Sequence, residues 1–137
     1  MSLPSGTVVT LQADTGLFLS RINRGGTDQI EAAKKTADSF SQFTCILLNN
    51  GKIALQADNG VFLSRINRGG KDPIEAAKKT IDVFSQFTLV PQENEKVALQ
   101  ADNGVFLSRI HRGEIDPIEA AKNSADPYSQ FTMNVLP

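Results

Sequence analysis

Leu55-Gln-Ala-Asp-Asn-Gly-Val-Phe-Leu-Ser-Arg-Ile66 decides the fold, because nearly the same stretch begins at Leu11 and at Leu99, 44 residues away on either side. Its first half, with the two residues before it, alternates. Ile53, Leu55 and Ala57 lie on one face and Gln56 and Asp58 on the other, the period of a strand with one wet side. Asp58-Asn-Gly60 supplies residues that tolerate positive φ and so makes a tight reversal. Val61 to Ile66 reads as the returning strand. Its apolar residues do not alternate, so spacing leaves open whether Phe62 or Leu63 faces inward.

Outward from that stretch, Leu11–Thr44, Leu55–Thr88 and Leu99–Thr132 align without a gap, and 23 of the 34 aligned positions carry one residue in all three copies. The joining segments, 45–54 and 89–98, differ far more. A fixed period through the whole chain predicts a repeat architecture, with units at about 7–50, 51–94 and 95–137 in one domain of 137 residues. Ser85 to Val90 alternates again, which puts Phe87 and Leu89 inward. The matching inward sets are Phe43, Cys45 and Leu47, and Phe131, Met133 and Val135.

The middle of each copy carries a conflict. Asp72-Pro-Ile-Glu75 is the local signature of a helix start with a capping box, and Ala76-Ala-Lys-Lys79 would continue it. Yet Asp82 and the next strand leave room for barely two turns, and so short a helix is marginal without packing. As a strand, Ile74 and Ala76 would face one side and Glu75 and Ala77 the other. Closure favours the strand. Four short strands per copy, three times over, close a barrel with hairpins across one end and leave no open edge. The expected fold is all-β, a β-trefoil with internal pseudo-threefold symmetry.

Composition narrows the function. Fourteen Lys and Arg against fifteen Asp and Glu give a net charge of −1, without the basic excess of a nucleic-acid binder. No apolar run approaches the roughly 18 residues that a membrane span needs, so membrane insertion is not expected. Cys45 is the one cysteine and His111 the one histidine, which excludes an internal disulfide and supplies zinc poorly. No cofactor or metal is expected. Met1 to Gly6 lacks the basic start and apolar core of a secretory signal, so the expected location is cytoplasmic, or exported without such a signal. His111 replaces Asn67 in one copy only, which is no basis for a catalytic pair, and no enzyme is expected.

Val97-Ala-Leu-Gln-Ala-Asp-Asn-Gly-Val-Phe-Leu-Ser108, then Ile118-Glu-Ala-Ala-Lys122, with Ser85-Gln-Phe-Thr-Leu89 in the second copy, resembles the repeat of the fascin-like β-trefoil superfamily. The resemblance covers all three copies. It implies a trefoil fold and one of that superfamily's roles: actin bundling, or carbohydrate binding as a lectin-like protein or glycosidase-borne module. Ricin-type lectins carry Gln-x-Trp in the last strand; this chain has no Trp, and Gln86 directly precedes Phe87.

The functional candidates are repeated residues that a barrel does not need. Asp14, Asp58 and Asp102 recur at the hairpin turn. Asn23, Arg24 and Asp28, then Asn67, Arg68 and Asp72, then His111, Arg112 and Asp116 recur in a Gly-containing loop. Arg offers a planar donor fork, Asn a donor and an acceptor, Asp an acceptor, and Gly lets backbone approach a ligand. That equipment suits the vicinal hydroxyls of a sugar, and equally an acidic protein surface such as actin. Arg21, Arg65 and Arg109 also recur, as do Glu31, Glu75 and Glu119, and Lys34, Lys78 and Lys122; structural ion pairs are the plain reading for the glutamates and lysines. Phe40, Phe84 and Tyr128 are the aromatic residues that could stack on a sugar, and rim-of-core positions are expected for them. The expected function is multivalent glycan binding at up to three equivalent shallow sites, with an actin-binding module as the alternative. Spacing gives no oligomeric state.

Overall fold

The computed structural model describes residues 5–137. In chain order its strands are β1 (Thr7–Gln12), β2 (Phe18–Arg24), β3 (Thr27–Lys34), β4 (Phe43–Leu47), β5 (Ile53–Gln56), β6 (Phe62–Arg65), β7 (Ile74–Lys78), β8 (Thr88–Pro91), β9 (Lys96–Gln100), β10 (Phe106–Arg109), β11 (Ile118–Lys122) and β12 (Phe131–Val135). The protein is all-β, with short 3₁₀ turns at Ser39–Ser41, Val83–Ser85, Glu93–Glu95 and Pro127–Ser129.

Six of the strands close on themselves. β1 pairs with β4, β4 with β5, β8 with β9, β9 with β12 and β12 with β1, all antiparallel. Between β5 and β8 the link is a bridge in which Ile53 and Phe87 exchange backbone hydrogen bonds of 2.9 and 2.8 Å. The other six strands form three hairpins, β2–β3, β6–β7 and β10–β11. These lean on one another through Gln29 opposite Glu75, Pro73 opposite Glu119 and Glu31 opposite Pro117. The Ala32 and Ala120 N–H groups donate across to the carbonyls of Asp116 and Asp72, each at 2.9 Å. A closed barrel thus carries a cap of three interlocked hairpins, and closure removes the exposed edges that invite wrong pairing.

The core comes from equivalent positions of the three copies. Leu11, Leu55 and Leu99 from the first strands, Phe43, Phe87 and Phe131 from the last, and Leu19, Leu63, Leu107, Ile30, Ile74 and Ile118 from the cap are all buried. The inward choice between Phe62 and Leu63 falls to Leu63. The register of β6 against β7 shifts between those two residues, so Leu63 and Ser64 are both buried and Phe62 is half-buried. A bulge of this kind is what breaks the alternation seen in the sequence.

Three local expectations change. The middle segment is a strand, yet Glu75 is buried with Ile74 and Ala76, while Ala77 is exposed. Glu75 lies under a guanidinium from its own hairpin, which makes burial tolerable. Leu47 and Val135, expected inward, are 44% and 51% exposed. Each is the last residue of its strand, at the barrel rim, because alternation fixes the side of a strand and not the depth. Leu89 and Met133 pack against the core from partly buried positions.

Among the described residues no helix is long and apolar enough to cross a membrane, and no cluster of three or more His, Cys, Asp or Glu side chains could hold a metal ion. Residues 1–4, on which most of the secretory-signal reading rests, lie outside the described residues.

Candidate functional site

Each Arg-Gly loop is the tip of a cap hairpin. In the second copy Arg68 and Lys71 exchange backbone hydrogen bonds of 2.8 and 3.2 Å across Gly69 and Gly70, whose φ values are +59° and +90°. Two successive left-handed residues make the tight hairpin turn that glycine adopts without penalty. Glu114 takes the second position in the third copy, and its φ is not positive.

The arginines of these loops are already occupied. Arg68 Nη2 donates to Glu75 Oε1 at 2.8 Å and its Nε to Oε2; Arg24 holds Glu31 and Arg112 holds Glu119 in the same way, also with 2.8 Å for the Nη2 bond. The three carboxylates are buried and their arginines half-exposed. A buried carboxylate must be paired or it costs several kcal/mol, on the order of 3–5, so this fork first holds the chain to itself.

A second set of forks joins one copy to the next. Arg21 grips Asp58 through Nε at 2.8 Å and Nη2 at 2.9 Å, Arg65 grips Asp102 at 2.7 and 2.8 Å, and Arg109 grips Asp14 at 2.7 and 2.9 Å. The pairs run from first copy to second, second to third and third back to first. The guanidinium beside each carboxylate holds Asp14, Asp58 and Asp102 below the usual carboxylate range. Nη1 of each arginine also reaches Asp28, Asp72 or Asp116 at 3.3 Å. Asn23 and Asn67 donate from Nδ2 to Asp28 and Asp72 at 2.8 Å, and His111 Nδ1 sits 2.7 Å from Asp116.

The sequence candidates therefore fall into two groups. Asn23 and Asp28 converge with Asp58 around Arg21, Asn67 and Asp72 with Asp102 around Arg65, and His111 and Asp116 with Asp14 around Arg109. Arg24, Arg68 and Arg112 stand apart, each on its buried glutamate.

Beside the first group lies an aromatic ring. Phe40, Phe84 and Tyr128, expected at the rim of the core, are 41%, 39% and 46% exposed. The guanidinium carbons of Arg21, Arg65 and Arg109 lie 5.2, 5.3 and 5.3 Å from the ring centres, and Lys34, Lys78 and Lys122 Nζ lie 5.3, 5.2 and 5.1 Å away. Each lysine in turn pairs with Asp38, Asp82 or Asp126, which also accepts from the backbone N–H of the aromatic residue at 3.0 Å. These aspartates cap the 3₁₀ turns that carry the rings, and the lysines hold their carboxyls below the usual range. Asp-x-aromatic-Ser was the local signal for those turns in the sequence. In the third copy Tyr128, Lys122, Arg109, Ile110 and His111 line a hollow of about 430 Å³.

No family model matches the chain, and no curated protein matches it in sequence. Solved structures do. A designed 3-fold symmetric protein, ThreeFoil, is 18% identical with a TM-score of 0.79, the match covering 94% of this chain and 99% of that one. The Macrolepiota procera ricin B-like lectin in complex with lactose is 12% identical, with a TM-score of 0.79 over 98% of this chain and 99% of that one. The Rhizoctonia solani agglutinin is 17% identical, with a TM-score of 0.78 over 99% of both chains. At these identities the likeness is one of fold: the chain is a β-trefoil. The resemblance read in the sequence narrows to that, and the fascin-like label does not follow from these structures.

Proposed function

We propose that the protein binds carbohydrate as a lectin-like β-trefoil, one domain of three four-stranded units of 44 residues about a pseudo-threefold axis, with up to three equivalent shallow sites. The observation that carries this reading is the aromatic ring left about 40% exposed in the same setting three times. Such a ring offers a flat apolar face or edge to the C–H groups of a pyranose, while a polar neighbour fixes orientation. Here the polar neighbours are Asn23, Asn67 or His111 with their aspartates, and the hollow of the third copy joins His111 to Tyr128 directly. Arg24, Arg68 and Arg112 serve the three proposed sites by fixing the loops through their glutamates. The lactose-bound lectin and the agglutinin among the structural neighbours support the same class of ligand. Each site is weak alone, and a glycan-bearing surface that engages all three raises the apparent affinity. The reading is one of binding without turnover.

A glycan array followed by titration tests this. Tyr128→Ala, Phe84→Ala and Phe40→Ala should each lower stoichiometry by one site, and the triple variant should lose binding while melting as a folded protein. Wild-type protein that binds no glycan on the array, yet co-sediments with actin filaments, would transfer the function to the protein-interaction alternative.

A further inference from the structure

Where the three cap hairpins meet, a cavity of about 260 Å³ opens between residues of all three copies, with Gln29, Arg68, Lys71, Arg112, Pro73 and Pro117 in its wall. It is distinct from the hollow at Tyr128, and the residues of its wall are not equivalent in the three copies. Thr27 and Ile115 stand where the second copy has Lys71, and Gln29 stands where the others have Pro73 and Pro117.

Its wall is rich in unused donors. Arg68 and Arg112 each commit Nε and Nη2 to a glutamate, which leaves both Nη1 groups without a partner among the described residues. The Lys71 ammonium and the Gln29 side-chain amide likewise have no partner among the described residues. Charge follows the same division. The Arg68–Glu75 and Arg112–Glu119 pairs are neutral as units, so Lys71 leaves an excess of one positive charge. Because the buried glutamates fix the two guanidinium planes, their free edges are preorganised, and a ligand need not order them.

A second hollow of about 310 Å³ shares Lys71, Arg112 and Glu119 with the first and is lined further by Asp72, Asn103 and Asn123. Asn103 Oδ1 accepts from the Val105 N–H at 3.2 Å, which leaves its NH₂ free, and the Asn123 side chain has no partner among the described residues. The first cavity therefore offers cationic donors between proline faces, and the second offers amides beside the Asp72 carboxylate, which Arg65 and Asn67 hold. We propose that these adjoining hollows bind a carboxylated sugar, of the uronic or sialic acid kind, with the carboxylate between Lys71 and the free guanidinium edges and its neighbouring hydroxyls toward Asn103 and Asn123. One negative charge matches the single excess positive charge of the first cavity, since Asp72 in the second is already engaged by Arg65 and Asn67, and charge-assisted bonds to a carboxylate are the strong ones. The sugar part of this inference rests on the carbohydrate reading above; the anion part rests on the cavity alone.

Calorimetric titration of the full chain with sialyllactose and with lactose at low salt tests it. Sialyllactose should bind about tenfold more tightly, the size of one charge-assisted bond, and added salt should shrink the difference. Lys71→Met should remove that preference while leaving lactose binding and the melting temperature unchanged. Equal affinity for both sugars in the wild type would overturn the cavity assignment and leave the lectin reading standing. Binding of neither sugar overturns the cavity assignment, while the lectin reading stands or falls on the glycan array. Sialyllactose binding that Lys71→Met does not weaken, or tighter binding of a polyglutamate peptide than of sialyllactose, would overturn the acidic-sugar assignment alone.

Discussion

Phe87 and Arg68 show what a single residue discloses before folding. Phe87 was legible: the alternation of its strand turns it inward, and it is fully buried in a layer with Phe43 and Phe131. Phe87→Ala should cost about 3–5 kcal/mol, measured by denaturant unfolding, because the ring leaves a cavity that its neighbours fill only in part. Arg68 was legible as a candidate and not as a partner. Its fork closes on a residue seven positions on, across a turn and onto a side chain that simple alternation had placed on the other face of the strand. Only the finished hairpin brings Glu75 beneath it. Arg68→Ala should therefore lower the thermal midpoint, since it strands a buried carboxylate. Lys71→Ala, three residues away and with no side-chain partner among the described residues, should stay within about 0.5 kcal/mol of wild type.

At the scale of elements, the cap hairpins and the 3₁₀ turns were legible to different degrees. Gly69 and Gly70 mark a loop in the sequence, and only the structure makes it the turn of the β6–β7 hairpin; the strand at Ile74–Lys78 follows from closure against its own local helix signal. The 3₁₀ turns that carry the rings went unread because three residues carry no periodicity. Their one mark is the aspartate two positions before the aromatic ring. That aspartate joins cap, lysine and ring: Asp82 accepts from the Phe84 N–H at 3.0 Å and pairs with Lys78. Asp82→Ala should cost about 0.5–2 kcal/mol as a lost cap. It should also loosen the Phe84 ring, visible as narrowed chemical-shift dispersion of its aromatic protons. A ring that keeps its shifts in this variant would show that the Arg65 and Lys78 contacts hold it without the cap.

For the whole molecule, the repeat made barrel and cap legible, whereas the order in which copies clasp one another was not. Arg21, Arg65 and Arg109 repeat at equal spacing, and nothing in the spacing says that each reaches the next copy's aspartate rather than its own. The closed ring of forks ties stability to pH. Asp14, Asp58 and Asp102 titrate lower in the folded protein than in the unfolded chain. Their contribution is therefore complete above the unfolded value of about 4 and is lost as pH falls through the depressed folded values. Unfolding free energy should stay level from neutrality to about pH 5 and then fall, and Asp102→Asn should make that acid slope shallower. The same closure has a mechanical side. β1 and β12 run antiparallel from Val9 opposite Val135 to Gln12 opposite Thr132, and Leu136 N–H still donates to Val8 O at 2.9 Å. The two ends of the chain thus leave the barrel side by side. Tension applied between them does not shear a ladder of hydrogen bonds in parallel; it peels them singly, like a zip, from Leu136 inward. A protein tethered by both termini would yield at low force along this one seam, with the Arg109–Asp14 fork as a later fastening to give way.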